Sequence, residues 1–141
     1  MLARVRKLHD IGFCHRDLTP ANMVFGLPQQ PNENILFLID FGLSKKFSDN
    51  EGPDEPLPEA KLARNLRLTG TPIYAPINGH LGWGNCYKKD DIESLLYISI
   101  HLLKGQLPWQ NLRAAHMENY YSIYESKLNI SSNELCAGLP K

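Results

Sequence analysis

Apolar residues recur at helical spacing at the start of the chain, where Leu2, Val5 and Leu8 are separated by Arg and Lys. The spacing predicts an amphipathic helix over residues 1–11 that enters in full pattern, with Met1 already inside it and Gly12 closing it. Phe13 and Cys14 lead out of that helix into a loop. Two short β-rich runs follow, Met23-Val24-Phe25 and Ile35-Leu36-Phe37-Leu38-Ile39, joined by a turn-rich stretch over residues 26–34. They predict a two-stranded hairpin. Residues 42–68 are polar, with Lys45, Lys46, Asp49, Glu51, Asp54 and Glu55 among Pro53, Pro56 and Pro58. Such a segment buries little apolar surface and is expected to be mobile. Order is expected to return over residues 68–76. Residues 89–103 carry Ile92, Leu95, Leu96, Tyr97, Ile98, Ile100, Leu102 and Leu103. A helix this apolar on most faces is expected at the buried centre of the domain, with Gly105 ending it. Pro108-Trp109 opens the next connection. Residues 113–128 predict a further helix, with Met117, Tyr120, Tyr121 and Tyr124 on a stripe that reads as core rather than as a ligand box. The pattern is mainly α (α+β), with no internal repeat and no second domain.

The chain has 141 residues and a formal net charge of +0. That length suits one domain, which can bury about 68–70% of its unfolded surface. Balanced charge gives no electrostatic argument for nucleic acid or for an anionic membrane, and neither is expected as a partner; the oligomeric state stays open. The three cysteines, Cys14, Cys86 and Cys136, are odd in number and lack metal-binding spacing. They read as free thiols in a reducing compartment, so an intracellular setting in cytoplasm or nucleus is expected. Arg4, Arg6, Lys7, His9 and Asp10 break any apolar run that a secretory signal would need. Residues 95–103 are too few to span a bilayer. Asn129-Ile130-Ser131 reads as an incidental sequon in such a setting.

The candidate chemistry lies in two loops. His15-Arg16-Asp17-Leu18-Thr19-Pro20-Ala21-Asn22 presents a carboxylate and, five positions later, an amide. Asp40-Phe41-Gly42 follows the second β-rich run. Each piece alone has a plainer reading: Asp17 as a cap or Asx-turn, Asp40-Phe41-Gly42 as a strand-ending turn, His15 as a satisfied core histidine. Jointly, in this order and around a hairpin, they match the protein-kinase signatures H-R-D-x4-N and D-F-G. Phosphoryl transfer needs a positioned hydroxyl, metal ions on the phosphates and charge compensation. Asp17 is suited to orient a substrate hydroxyl and accept its proton. Asn22 and Asp40 offer the hard oxygen ligands that Mg²⁺ prefers. His15 and Phe41 are expected to pack near each other and set the Asp40 loop.

Further stretches narrow the resemblance. Leu68-Thr69-Gly70-Thr71, Tyr74-Ala75-Pro76-Ile77-Asn78, His80-Leu81-Gly82, Lys88-Lys89-Asp90-Asp91-Ile92-Glu93-Ser94-Leu95, Leu107-Pro108-Trp109-Gln110 and Glu134-Leu135-Cys136-Ala137-Gly138-Leu139-Pro140 resemble the casein kinase 1 family of serine/threonine kinases. Pro76-Ile77-Asn78 stands where that family has Ser-Ile-Asn and most kinases have Ala-Pro-Glu. The resemblance covers nearly the whole chain and implies the C-terminal lobe of a kinase, with helices around a buried central helix. It implies ATP and Mg²⁺ as cofactors and proteins as substrates. By it, Asp17 is the catalytic base, Asn22 and Asp40 are metal ligands, and Val24 lies under the adenine. Thr71 helps hold Asp17, and Asp91 anchors the catalytic-loop backbone. A plain carboxylate at a helix N-terminus is the simpler reading of Asp91 and is compatible with that role.

Three departures stand out. Thr19 occupies the place of a lysine that touches the transferred phosphate. Ile73 occupies the place of an arginine that helps hold a substrate anion, whereas Arg113 resembles another member of that basic set. No G-x-G-x-x-G occurs, so the resemblance implies a partial kinase domain over residues 1–141, without the smaller ATP-roofing lobe. Weak or absent activity of the isolated chain is expected. The alternative is a pseudokinase-like protein-binding module without phosphotransfer, or a fragment that folds poorly because the face that meets the other lobe is exposed. Removing one preorganised charge stabiliser costs on the order of 10²–10³ in rate. Thr19→Lys is therefore expected to raise phosphoryl-transfer turnover once the chain is joined to an ATP-binding lobe; unchanged turnover in a radiolabel assay counts against this role for position 19.

Overall fold

The computed structural model describes residues 1–47, 68–81, 86–112 and 117–139. Helix α1 (Leu2–Asp10) opens the chain, followed by the short strand β1 (Phe13–Cys14). A single 3₁₀ turn (Pro20–Asn22) leads into strand β2 (Met23–Phe25), which pairs with β3 (Leu36–Leu38); β4 (Lys45–Lys46) comes next. Helices α2 (Ile77–His80), α3 (Lys88–Lys104), α4 (Met117–Asn129) and α5 (Ser132–Cys136) make up the rest.

The hairpin expected from the two β-rich runs is present. β2 and β3 pair antiparallel with Met23 opposite Leu38, Val24 opposite Phe37 and Phe25 opposite Leu36. The polar stretch read as mobile begins differently. Lys45 and Lys46 form β4, which pairs with β1 as Cys14 opposite Lys45 and Phe13 opposite Lys46. Phe47 N–H extends the ladder to Gly12 O at 3.0 Å. A two-residue strand carries no alternation that a sequence pattern could reveal. The rest of that stretch, residues 48–67, lies outside the described residues.

Helix α3 is central, but not because it is buried all round. Its Tyr97 and Ile100 join Leu107, Trp109 and Ile123 in one apolar cluster. Its Ile98 joins Val5 of α1 and Leu18 in a second. Leu96, Leu102 and Leu103 are 57%, 72% and 65% exposed, so the expectation of burial on most faces is overturned. The buried face instead carries Asp90, Asp91 and Ser94 at its first turns. Gly105, at φ +78, ends the helix as expected, its N–H bonded to His101 O at 2.8 Å. In α1 the buried face runs through Val5 and His9, whereas Leu2 is exposed. In α4 the buried positions include Ile123, Tyr124 and Lys127, with Tyr121 exposed, so the tyrosine stripe is core only in part. The short α5 was not expected; Ser131 and Glu134 start it by exchanging backbone and side-chain bonds, a reciprocal cap. Among the described residues no helix is long and apolar enough to cross a membrane.

Trp109 is fully buried, packs edge-on to Tyr97 with ring centres 5.0 Å apart, and donates from Nε1 to Ile73 O at 2.8 Å. Trp109→Ala is expected to destabilise the fold by about 3–5 kcal/mol, read as a lowered urea midpoint. A shift below about 1 kcal/mol contradicts this placement of the core.

Candidate active site

Asp91, in the first turn of α3 and 1% exposed, sets the backbone of the loop after β1. Its Oδ2 accepts from His15 N–H at 2.8 Å and from His9 Nε2 at 2.8 Å. Its Oδ1 accepts from Arg16 N–H at 2.9 Å. A buried carboxylate needs such donors to offset lost hydration, and the N-terminal end of α3 favours its charge. The grip holds Arg16 at φ +72, a left-handed backbone that costs a non-glycine residue about 1–2 kcal/mol. Arg16 also donates to Thr69 Oγ1 at 3.3 Å. The anchoring role expected of Asp91 is thus a three-bond contact.

His15 is fully buried and bridges two loops. Asp17 N–H donates to His15 Nδ1 at 3.3 Å, which places the ring proton on Nε2 to donate to Ile39 O at 3.1 Å. The ring meets Phe41 edge-on at 5.2 Å, as expected. Asp17 is half-buried, and its Oδ1 receives both Thr71 N–H and Thr71 Oγ1–H at 2.8 Å. Gly70, between Thr69 and Thr71, lies against the loop at φ +89; a Cβ there would meet Arg16 O at 2.6 Å. Only glycine permits that approach and that φ together.

Asn22 is fixed by its own Nδ2, which donates to Asp17 O at 3.0 Å. Its backbone carbonyl accepts Ile39 N–H at 3.0 Å, which sets it beside the end of β3. Asp40 follows at φ +60, exposed, with Oδ1 accepting Gly42 N–H at 3.2 Å. The Asn22 amide oxygen and the remaining Asp40 oxygen are hard donors at the same end of the hairpin. Oxygens of this kind are the ligands that Mg²⁺ takes. Val24 lies in the middle of β2 and is 37% exposed. Thr19 is 5% exposed. Its hydroxyl accepts Asn22 N–H at 3.3 Å, so in this fold it caps the 3₁₀ turn. Ile73 packs against the Trp109 cluster; Arg113 lies outside the described residues.

Sequence reasoning missed His9 and Gly70. His9 shares the inward face of α1 with Val5 four positions earlier, which was the available signal. The ligand atoms of His9, Cys14 and Asp91 lie within 4.8 Å of one another. The Asp91 oxygens there are taken by N–H donors, His9 among them. Burial, with Asp91 nearby, pushes the Cys14 thiol far above its ordinary range, and burial raises Cys86, so neither is a ready nucleophile. An open groove of about 510 Å³ between α1 and β3, lined by Leu8, Ile11, Phe37, Leu38 and Phe41, adjoins the Asp40 loop.

No family model matches the chain. The chain is 39% identical over 142 residues to casein kinase I homolog 2 of Schizosaccharomyces pombe, covering 99% of this chain and 31% of that protein. It is 38% identical over 143 residues to casein kinase I homolog 1 of the same yeast, covering 100% of this chain and 31% of that protein. For casein kinase I homolog 3 of that yeast the identity is 36% over 146 residues, again covering 100% and 31%. The chain therefore spans about 31% of the length of these curated relatives.

Asp91→Ala leaves His15 N–H and Arg16 N–H without acceptors. It is expected to cost about 2–6 kcal/mol, about 1–3 for each orphaned donor, and to raise hydrogen-exchange rates at both amides. Unchanged protection there contradicts the anchor.

Proposed function

We propose that this chain, a relative of casein kinase I proteins over its whole length, supplies the catalytic-loop half of an ATP-dependent protein serine/threonine kinase. In this reading Asp17 orients a seryl or threonyl hydroxyl and takes its proton, and Asn22 and Asp40 hold Mg²⁺ on the nucleotide phosphates. Val24 supports the adenine, and Thr71 positions Asp17. The bound Mg²⁺·ATP brings the transferable phosphoryl group and neutralises its charge.

The observation that carries the reading is the double bond-donation from Thr71 to a single oxygen of Asp17. It fixes the carboxylate while, among the described residues, nothing donates to Oδ2. A fixed acceptor with a free oxygen is what a general base needs before substrate arrives. Thr71 comes this close because Gly70 lacks a side chain, where a Cβ would meet Arg16 O at 2.6 Å. Intracellular residence belongs to the same proposal and is supported by the three free thiols.

A second reading is a protein-binding module without phosphotransfer. Thr19 favours it, because a buried cap at that position offers no positive charge to a phosphate. Calorimetry on the purified chain separates nucleotide binding from docking alone. The kinase reading expects Mg²⁺-dependent ATP binding that Asp40→Ala weakens and Asp17→Asn leaves in place. In the chain joined to an ATP-binding lobe, Asp17→Asn is expected to lower turnover on seryl peptides by about 10²–10⁴-fold. Absence of Mg²⁺-dependent binding, or full turnover in Asp17→Asn, overturns it.

A further inference from the structure

Lys127 of α4 is 3% exposed, unusual for a lysine. Its Nζ donates to Pro72 O at 2.7 Å and to Ala75 O at 2.6 Å, and lies 3.0 Å from His80 Nε2. The Tyr97 and Trp109 rings lie 5.1 and 5.2 Å from it. Three partners for three ammonium protons describe a clasp that ties α4 to the turn over residues 72–75. That turn follows Thr71 directly: Tyr74 and Ala75 N–H both donate to Thr71 O, at 3.0 and 2.8 Å. Trp109 holds the same turn at Ile73 O.

His80, at the end of α2 and 1% exposed, supplies the second observation. Its Nδ1 has no partner among the described residues. With Lys127 charged, Nε2 must accept, so the ring proton sits on Nδ1 as an orphaned buried donor. With Lys127 neutral, the amine keeps two N–H donors for the two carbonyls and offers a lone pair. His80 can then carry its proton on Nε2 and donate it to Nζ, leaving Nδ1 as an unpartnered acceptor, a milder cost than an unpartnered donor. The same atoms therefore close the clasp in two protonation states. We propose that Lys127 and His80 form a proton-linked clasp on the residues 72–75 turn: when Lys127 gives up one proton, His80 exchanges tautomers and the clasp stays closed. The balance is one proton released to solvent, with Nε2 gaining and Nδ1 losing a proton.

The surroundings suit this exchange. Burial pushes Lys127 down to about 7, partly opposed by Glu93 of α3. Glu93 is itself engaged by Ile77 N–H and Tyr97 O–H, at 2.8 and 2.7 Å. Burial and the neighbouring ammonium push His80 down to about 3, against a hydrogen bond to the Pro72 carbonyl that favours the protonated ring, so the ring stays neutral while Lys127 titrates. Tyr97 is held protonated by burial. Tyr124, on α4 itself, packs its ring 6.2 Å from that of His80. Lys127 therefore carries the change in proton count near neutral pH. The linkage sign follows: its folded pKa lies below the ordinary 10.5, so between about pH 7 and that value the unfolded chain binds more protons, and this pair makes stability rise with pH.

Side-chain ¹⁵N NMR of the full chain from pH 5.5 to 9.5 tests the pair. The expected result is a change of His80 from the Nδ1–H to the Nε2–H tautomer with a midpoint near 7, with Tyr74 and Ala75 amides slow to exchange on both sides. In Lys127→Arg, which cannot lose its proton in this range, His80 is expected to keep Nδ1–H throughout. One unchanging tautomer in the unsubstituted chain overturns the proposal. So does loss of Tyr74 and Ala75 protection above the midpoint, or a tautomer change that persists in Lys127→Arg. If the variant does not fold, the two readouts on the unsubstituted chain decide alone.

Discussion

The contact on which the rest of the site depends is the buried carboxylate of Asp91 gripping two successive backbone N–H groups, those of His15 and Arg16. A carboxylate at 1% exposure survives there because three donors and the N-terminal end of α3 compensate its charge. In return it turns the backbone through the left-handed Arg16, and the next residue, Asp17, stays half-buried in a loop whose neighbours, His15, Leu18 and Thr19, are all buried. His9 locks the same oxygen from α1. Three stretches far apart in sequence, residues 9–16, the end of β3 at Ile39 and the first turn of α3 at Asp91, are thereby fixed to one another.

From that anchor the geometry propagates through short, charge-assisted or buried bonds. His15 relays it to the end of β3 through Ile39 O and to Phe41 through ring contact. Thr71 relays it to Asp17, and the turn that presents Thr71 is held from behind by Trp109 and Lys127. Asp17 and Asn22 are thereby each held by bonds within the protein, the preorganisation that the proposed chemistry would use. Arg16 and Asp40 take left-handed backbone at the two candidate loops, as Gln29 does in the hairpin turn.

Much of this was legible in the sequence, and the limits are physical. The hairpin followed from β-rich runs flanking a turn-rich connection, and the helix ends followed from Gly12 and Gly105. The contact of Thr71 with Asp17 and the anchoring by Asp91 came from the resemblance, because bonds across more than 50 positions leave no local trace. β1 and β4 were missed because two residues cannot show a period. The exposed Leu96, Leu102 and Leu103 were misread because hydrophobic content does not reveal which side of a helix finds a partner. His9 and Lys127 were missed for the opposite reason: a polar residue on an inward face reads as surface until its partners are known. Thr19 read as a lost phosphate contact, and the fold uses it as the cap of the turn that carries Asn22.

Asn22 and Asp40, at one end of the hairpin, are the proposed ligands of one divalent ion on a nucleotide. Titrating Mn²⁺·ATP into the ¹⁵N-labelled chain tests it most directly, because paramagnetic broadening falls off steeply with distance from the ion. The Asn22 side-chain amide and the Gly42 N–H are expected to broaden first, at substoichiometric Mn²⁺, while α4 and α5 resonances stay sharp. Broadening that begins elsewhere, or spreads evenly over the chain, would contradict it.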